Sequence, residues 1–270
     1  LPITDALKGS VAYRDSDYSS FGNKGTYRVD MGYTLNDMIK FRTSYNFAVR
    51  APSIAGLYAP AGESFPSAND PCSSKGTVQT DAVRAICVAT GVPADQVFTQ
   101  AIDLAAQQVR SLVGGNPNLA PEEGENRTLG VVYTPSQVEG LRLSVDFWEI
   151  ELENIFSSIS AQQVLNRCYI DGPNQDPGFC AFVTRTASGN LQTARTSQIN
   201  SAVNNVSGVD FVAAYDFDVD GYGSFTTAFD MVYYTKDEFA QATTSTPSES
   251  FGWYDGGADF RWRANASVLW

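Results

Sequence analysis

Residues 39–49, IKFRTSYNFAV, constrain the fold more than any other stretch of the chain. Ile39, Phe41, Thr43, Tyr45, Phe47 and Val49 alternate with Lys40, Arg42, Ser44, Asn46 and Ala48. Successive side chains of a strand point to opposite faces, so one face meets something apolar and the other meets water. The same alternation recurs near residues 7–15, 27–35, 126–134, 141–150, 209–217, 225–233 and 260–270. A change of phase at Glu149 and Ile150 predicts a bulge in the fifth strand.

The connections between these strands differ in length. Residues 51–123 form one long excursion and residues 154–196 a second, both too long for ordinary loops. A polar loop is expected over residues 16–25, and short turns follow the second, fourth and sixth strands. Thr80 and Asp81 predict a capped helix through Val88. Pro93 predicts a longer one carrying Val97, Ile102, Leu104, Ala105, Val109 and Leu112, stopped by Gly114 and Gly115. Tyr33, Tyr133, Phe217, Tyr222 and Trp270 collect near the short-turn ends, as aromatic girdles at a membrane interface do. The expected fold is all-β: an antiparallel transmembrane β-barrel wall of about eight strands, with long extracellular loops carrying short helices. Phe41, Tyr45, Phe211, Phe229 and Trp262 should then face outer-membrane lipid. The arginines at 42, 142, 261 and 263 should face the lumen, pairing with wall carboxylates such as Asp146 and Asp30.

Composition removes several functions. With a net charge of −12 and no histidine, the chain lacks the basic face of a nucleic-acid binder and the base of a Ser-His-Asp triad. Histidine-based zinc sites go with it. No run approaches the ~20 apolar residues of a membrane helix, but transmembrane strands escape that criterion because half their residues are polar. Carboxylates such as Glu122, Glu123, Glu149, Glu151 and Glu153 read as a solvated rim. Neither catalysis, a metal site nor a cofactor is expected.

Cys72 and Cys87 share the first excursion, and Cys168 and Cys180 the second. Four cysteines allow three connectivities, and pairing within each excursion is expected, in an oxidising compartment.

Arg50-Ala51-Pro52-Ser53 and the later GNPNLAPE of residues 115–122 resemble the barrel motifs of TonB-dependent outer-membrane receptors. The resemblance extends to DYSSFG at 17–22 and NVSGVDFVAAY at 205–215, with Val49 where the family usually has Phe. It implies a wall segment from a larger barrel of about 22 strands around a plugged lumen. It further implies a bacterial outer-membrane receptor that takes up a ferric siderophore, cobalamin or an oligosaccharide. Energy would come from the inner-membrane TonB complex, acting through a plug domain that carries the TonB box. The chain opens LPITDALKGS, without initiator Met, signal peptide or plug, and reads as beginning within a longer protein. The alternative is a complete eight-stranded barrel acting as an adhesin or structural protein.

Recognition is expected in the two excursions and the adjoining lumen face, by exclusion: the strands' outer residues are committed to lipid, and short turns cannot build a pocket. Their aromatics, Tyr58, Phe65, Phe98, Tyr169, Phe179 and Phe182, are suited to stacking on sugars or flat chelates, or to packing the excursions' own cores. Arg50, Tyr58 and Tyr169 are the expected ligand contacts.

Overall fold

Strand alternation and helix caps assign most of the chain to elements. The computed structural model describes residues 6–170, 176–240, 248–249, 251 and 260–270. In chain order these run β1 (Leu7–Tyr18), β2 (Gly22–Thr34), β3 (Ile39–Arg50), α1 (Ile54–Tyr58), β4 (Gly62–Ser64) and α2 (Asp81–Ala89). There follow β5 (Ser111–Gly114), β6 (Glu122–Tyr133), β7 (Leu141–Ser158) and α3 (Ala161–Tyr169). The last are β8 (Val183–Arg185), β9 (Leu191–Val219), β10 (Gly223–Ala240), β11 (Ser248–Glu249) and β12 (Trp262–Leu269). Two units divide this chain: a wall of residues 1–51, 121–155 and 201–270, and an excursion unit of residues 52–120 and 156–200.

In the wall, strands pair in the order β1-β2-β3-β6-β7-β9-β10, with β11 and β12 both on β10. All these pairings with a described register are antiparallel. Among the described residues β1 and β12 do not pair with each other, so the sheet is an open half-barrel. Register places apolar residues side by side: Leu7 opposes Tyr33, Tyr33 opposes Phe41, Phe41 opposes Val131, and Val131 opposes Val145. None of Phe41, Tyr45, Phe211, Phe229 and Trp262 is buried, and Val11, Leu129 and Trp262 are 78%, 59% and 62% exposed. A soluble sheet would cover such a face. Further along the same face of β6 and β7 the residues turn charged, with Arg127 opposite Glu149 and Glu125 opposite Glu151.

Four expectations need correction. Residues 16–25 are a tight hairpin, not a loop: β1 continues to Tyr18, and Gly22 takes the positive φ that the turn needs. Tyr18 and Phe21 stack there at 4.5 Å. No long helix follows Pro93. The stretch forms 3-10 turns at Gln100–Ile102 and Ala105–Gln107, because Phe98, Ala106 and Gln107 adopt left-handed φ that a helix excludes. Register with β6 through Glu149 and Ile150 is continuous, so no bulge interrupts that pairing; the left-handed residue on β7 is Asn154. The sixth wall strand begins at Leu191, far earlier than residue 209.

The excursion unit has its own core. Ile102, Val109, Val164, Leu165 and Tyr169 are each at most 1% exposed within it. Thr80 caps α2 as expected, its hydroxyl accepting from Val83 N. Ser160 and Gln163 form a reciprocal capping box on α3. A small sheet completes the unit, β5 pairing antiparallel with β4 and parallel with the start of β9.

Candidate ligand-recognition surfaces

Both disulfides join cysteines of one excursion, Cys72 to Cys87 and Cys168 to Cys180, with Cα separations of 5.7 and 4.8 Å. Each closes a local loop, and a second device ties the two excursions together. Arg185 donates to both carboxylate oxygens of Asp70, at 2.6 and 2.7 Å, in full burial. Its Nε also donates to the Tyr169 hydroxyl at 3.1 Å, and that hydroxyl lies 3.0 Å from Thr90 Oγ1. Burial opposes the charge on Arg185, but the hydrogen bonds and charge of Asp70 outweigh it and hold the guanidinium above its ordinary pKa. A group with a raised folded pKa loses its contribution only as pH climbs through that value, so this tie persists across the neutral range.

Tyr169 is therefore a core residue. At 1% exposed, with its hydroxyl bound, it packs the excursion unit and does not present a face to a ligand. Tyr58, at the end of α1, is 61% exposed, with Ile54 at 82% and Phe65 at 57%. Ser53 starts that helix by accepting from Gly56 N. A cleft of about 360 Å³ in this unit is lined by Ser53, Gly56, Ser158, Ser197 and Gln198, among others, and carries no charged side chain. Arg50, at the end of β3, donates to Glu122 at 2.8 Å.

The wall's polar face is held by crossed pairs. Arg42 on β3 and Asp146 on β7 make two hydrogen bonds of 2.6 and 2.7 Å across β6. The residue between them in register is Gly130, where a Cβ would lie within 1.9 Å of Asp146 Oδ1. Arg28 pairs with Asp30, and Arg142 with Asp216. A second pair uses the same device. Trp148 on β7 meets Tyr234 on β10 edge-to-face at 5.8 Å, and a Cβ on the intervening Gly208 would sit 2.7 Å from the Trp148 ring. The Trp148 indole N–H donates to Asp210 Oδ1 at 3.0 Å. The sequence placed Trp148 and Asp210 on the polar face but did not reveal their meeting; the available signal was one tryptophan in a row of polar residues.

Among the described residues no group of three or more His, Cys, Asp or Glu is placed to hold a metal. No helix of the described residues is long and apolar enough to cross a membrane, which says nothing of strands.

An antiparallel wall with an exposed apolar face, a charge-paired opposite face and long stapled excursions defines a segment of an outer-membrane β-barrel. The sequence profile of the TonB dependent receptor-like β-barrel matches residues 1–270, and the chain belongs to that family. It is accordingly an outer-membrane β-barrel segment of that family. No curated protein matches the sequence. Solved structures share the fold at low identity. The siderophore receptor PirA from Acinetobacter baumannii is 14% identical with a TM-score of 0.55, over 93% of this chain and 28% of that one. A mutant of the ferric enterobactin receptor PfeA from Pseudomonas aeruginosa, in complex with enterobactin, is 13% identical with a TM-score of 0.59, over 100% and 28%. The chain thus spans little more than a quarter of these relatives.

Proposed function

We propose that this chain is the wall and outer-loop segment of a TonB-dependent importer of a scarce, bulky nutrient. Ligand would be captured by the two excursions, with Tyr58 and Arg50 as contacts and Tyr169 acting only by holding the core. Energy would come from the TonB complex of the inner membrane, acting through a plug domain. The observation that carries this reading is the contrast between the units. The wall exposes its apolar face, while residues 52–120 and 156–200 form a self-contained unit with its own core, disulfides and buried ion pair. Such an investment in a loop region suits recognition, since binding residues concentrate on loops positioned by a rigid scaffold.

The test uses the full-length receptor. Each excursion is deleted separately, and ligand binding and uptake are measured in cells with and without TonB. Uptake is expected to fail in each deletion and in the TonB-deficient strain. Uptake that survives both deletions, or that ignores TonB, contradicts the proposal.

A further inference from the structure

We infer that the two excursions form a single cooperative body with no hinge between them, so that they fold, open and rearrange together and never one against the other. The inference does not rest on the receptor reading; it concerns how the unit works whatever it binds.

A long surface connection ordinarily opens on its own, because few contacts hold it. The disulfides fit that picture, since each closes a loop within one excursion. The framework around them is shared. The small sheet takes β4 and β5 from the first excursion, and β8 and the start of β9 from the second. Ser111 opposes Ala194 in the parallel pairing, and its hydroxyl donates to the Ala194 carbonyl at 2.9 Å. The core is equally mixed. Val83, Ile102 and Val109 from the first excursion lie in one buried cluster with Val164, Leu165 and Tyr169 from the second. A core this small has no reserve to lose, so removing either half exposes the other.

Polar contacts close the seam. Besides its bonds to Asp70 and Tyr169, Arg185 donates through Nη1 to the Gly189 carbonyl at 2.9 Å, which fixes the turn of residues 186–190. That turn presses on the first excursion at a glycine. Gly189 has a φ of +84°, and a Cβ there would lie 2.6 Å from Pro93 Cδ and 3.2 Å from Val92 Cα. Gln162 on α3 adds a reciprocal pair with the Asn69 backbone, accepting from its N–H at 2.7 Å and donating to its carbonyl at 3.2 Å. A state with one excursion intact and the other displaced would strand half of the buried ion pair and expose half of the core. The intact half would still carry its ordering cost. Such a state is disfavoured against both the closed and the fully open unit, which makes the transition all-or-none.

The experiment reads amide hydrogen exchange in the full-length protein in lipid, on peptides covering α2 from the first excursion and α3 from the second. Leu165→Val and Gly189→Ala weaken the second excursion, and Asp70→Asn the first. Each variant should speed exchange in both helices by the same factor, to within about twofold. For Asp70→Asn that factor should be about tenfold or more, a shift of about 1.4 kcal/mol. Leu165→Val removes only one methylene and keeps the comparison available if a stronger variant fails to fold. Relative motion is read directly from spin labels at Val88→Cys and Gln192→Cys, an exposed position in each excursion. They should give one narrow distance distribution. Exchange that rises in one helix alone, or in neither helix for all three variants, overturns the inference. So does a broad or two-peaked distance between the labels. Either result leaves the receptor reading standing, because that reading fails only if uptake is independent of TonB and of both excursions.

Discussion

The wall and the excursion unit use the same kinds of apolar side chain in opposite ways. In the wall, Val11, Leu129 and Trp262 stand 59% exposed or more. In the excursion unit, Val164 and Leu165 are wholly buried and Ile102 is 1% exposed. The difference lies in the solvent each meets. A unit surrounded by water must bury its apolar residues against one another, whereas a barrel strand leaves burial to lipid and satisfies its backbone through its neighbours. The excursion unit is accordingly built like a small secreted domain, with a modest core, two disulfides and one buried ion pair.

The largest expected effect separates the two units most cleanly. Asp70→Ala leaves Arg185 buried without its partner and should cost the excursion unit about 3–5 kcal/mol. Limited proteolysis of the full-length protein should show new cleavage within residues 52–120 or 156–200, while the wall keeps its heat-modifiable mobility. Loss of both together would mean that the units do not hold separately.

Replacing Cys72 and Cys87 by Ser comes next, at about 2–4 kcal/mol and again confined to the excursion unit. Peptide mapping without reductant should confirm Cys72–Cys87 and Cys168–Cys180; a Cys72–Cys168 bridge would contradict the structure. In the wall, Phe229→Arg should cost about 2–4 kcal/mol in membrane folding assays. Ala228→Arg, on the neighbouring face, should cost clearly less. The smallest effect is Ser160→Ala, which removes one half of the capping box on α3 and should cost about 0.5–2 kcal/mol. Denaturant titration of the excursion unit within the intact receptor would read it.

The same contrast explains what could be read from sequence. Alternation revealed the wall strands wherever one side met lipid, as in β3. It gave out where both sides meet water. The end of β1, Ser16 to Tyr18, lacks an apolar face and so resembled a loop, although its ladder with β2 continues to Gly22. At Glu149 and Ile150 the same loss of contrast imitated a bulge: the outer face turns charged while the register carries on. In the excursion unit Val97, Ile102 and Val109, the apolar positions of the expected helix, are buried in the core, but helical spacing alone could not exclude a coil that buries the same three. The site was less legible. Exposure separates Tyr58 from Tyr169, and nothing local to either residue encodes it. The glycines at 130 and 208 gain meaning only when three strands are set in register, because each opens a space between side chains on the strands to either side.

The claim that lipid covers one face of this wall is tested most directly by nitroxide labels on adjacent residues of the full-length receptor in outer-membrane lipid. Labels at Leu129→Cys and Phe229→Cys should collide with dissolved oxygen and be shielded from a water-soluble nickel chelate. Labels at Thr128→Cys and Ala228→Cys should lack that preference for oxygen. Equal accessibility at 128 and 129, and at 228 and 229, or a reversed order, would contradict the account.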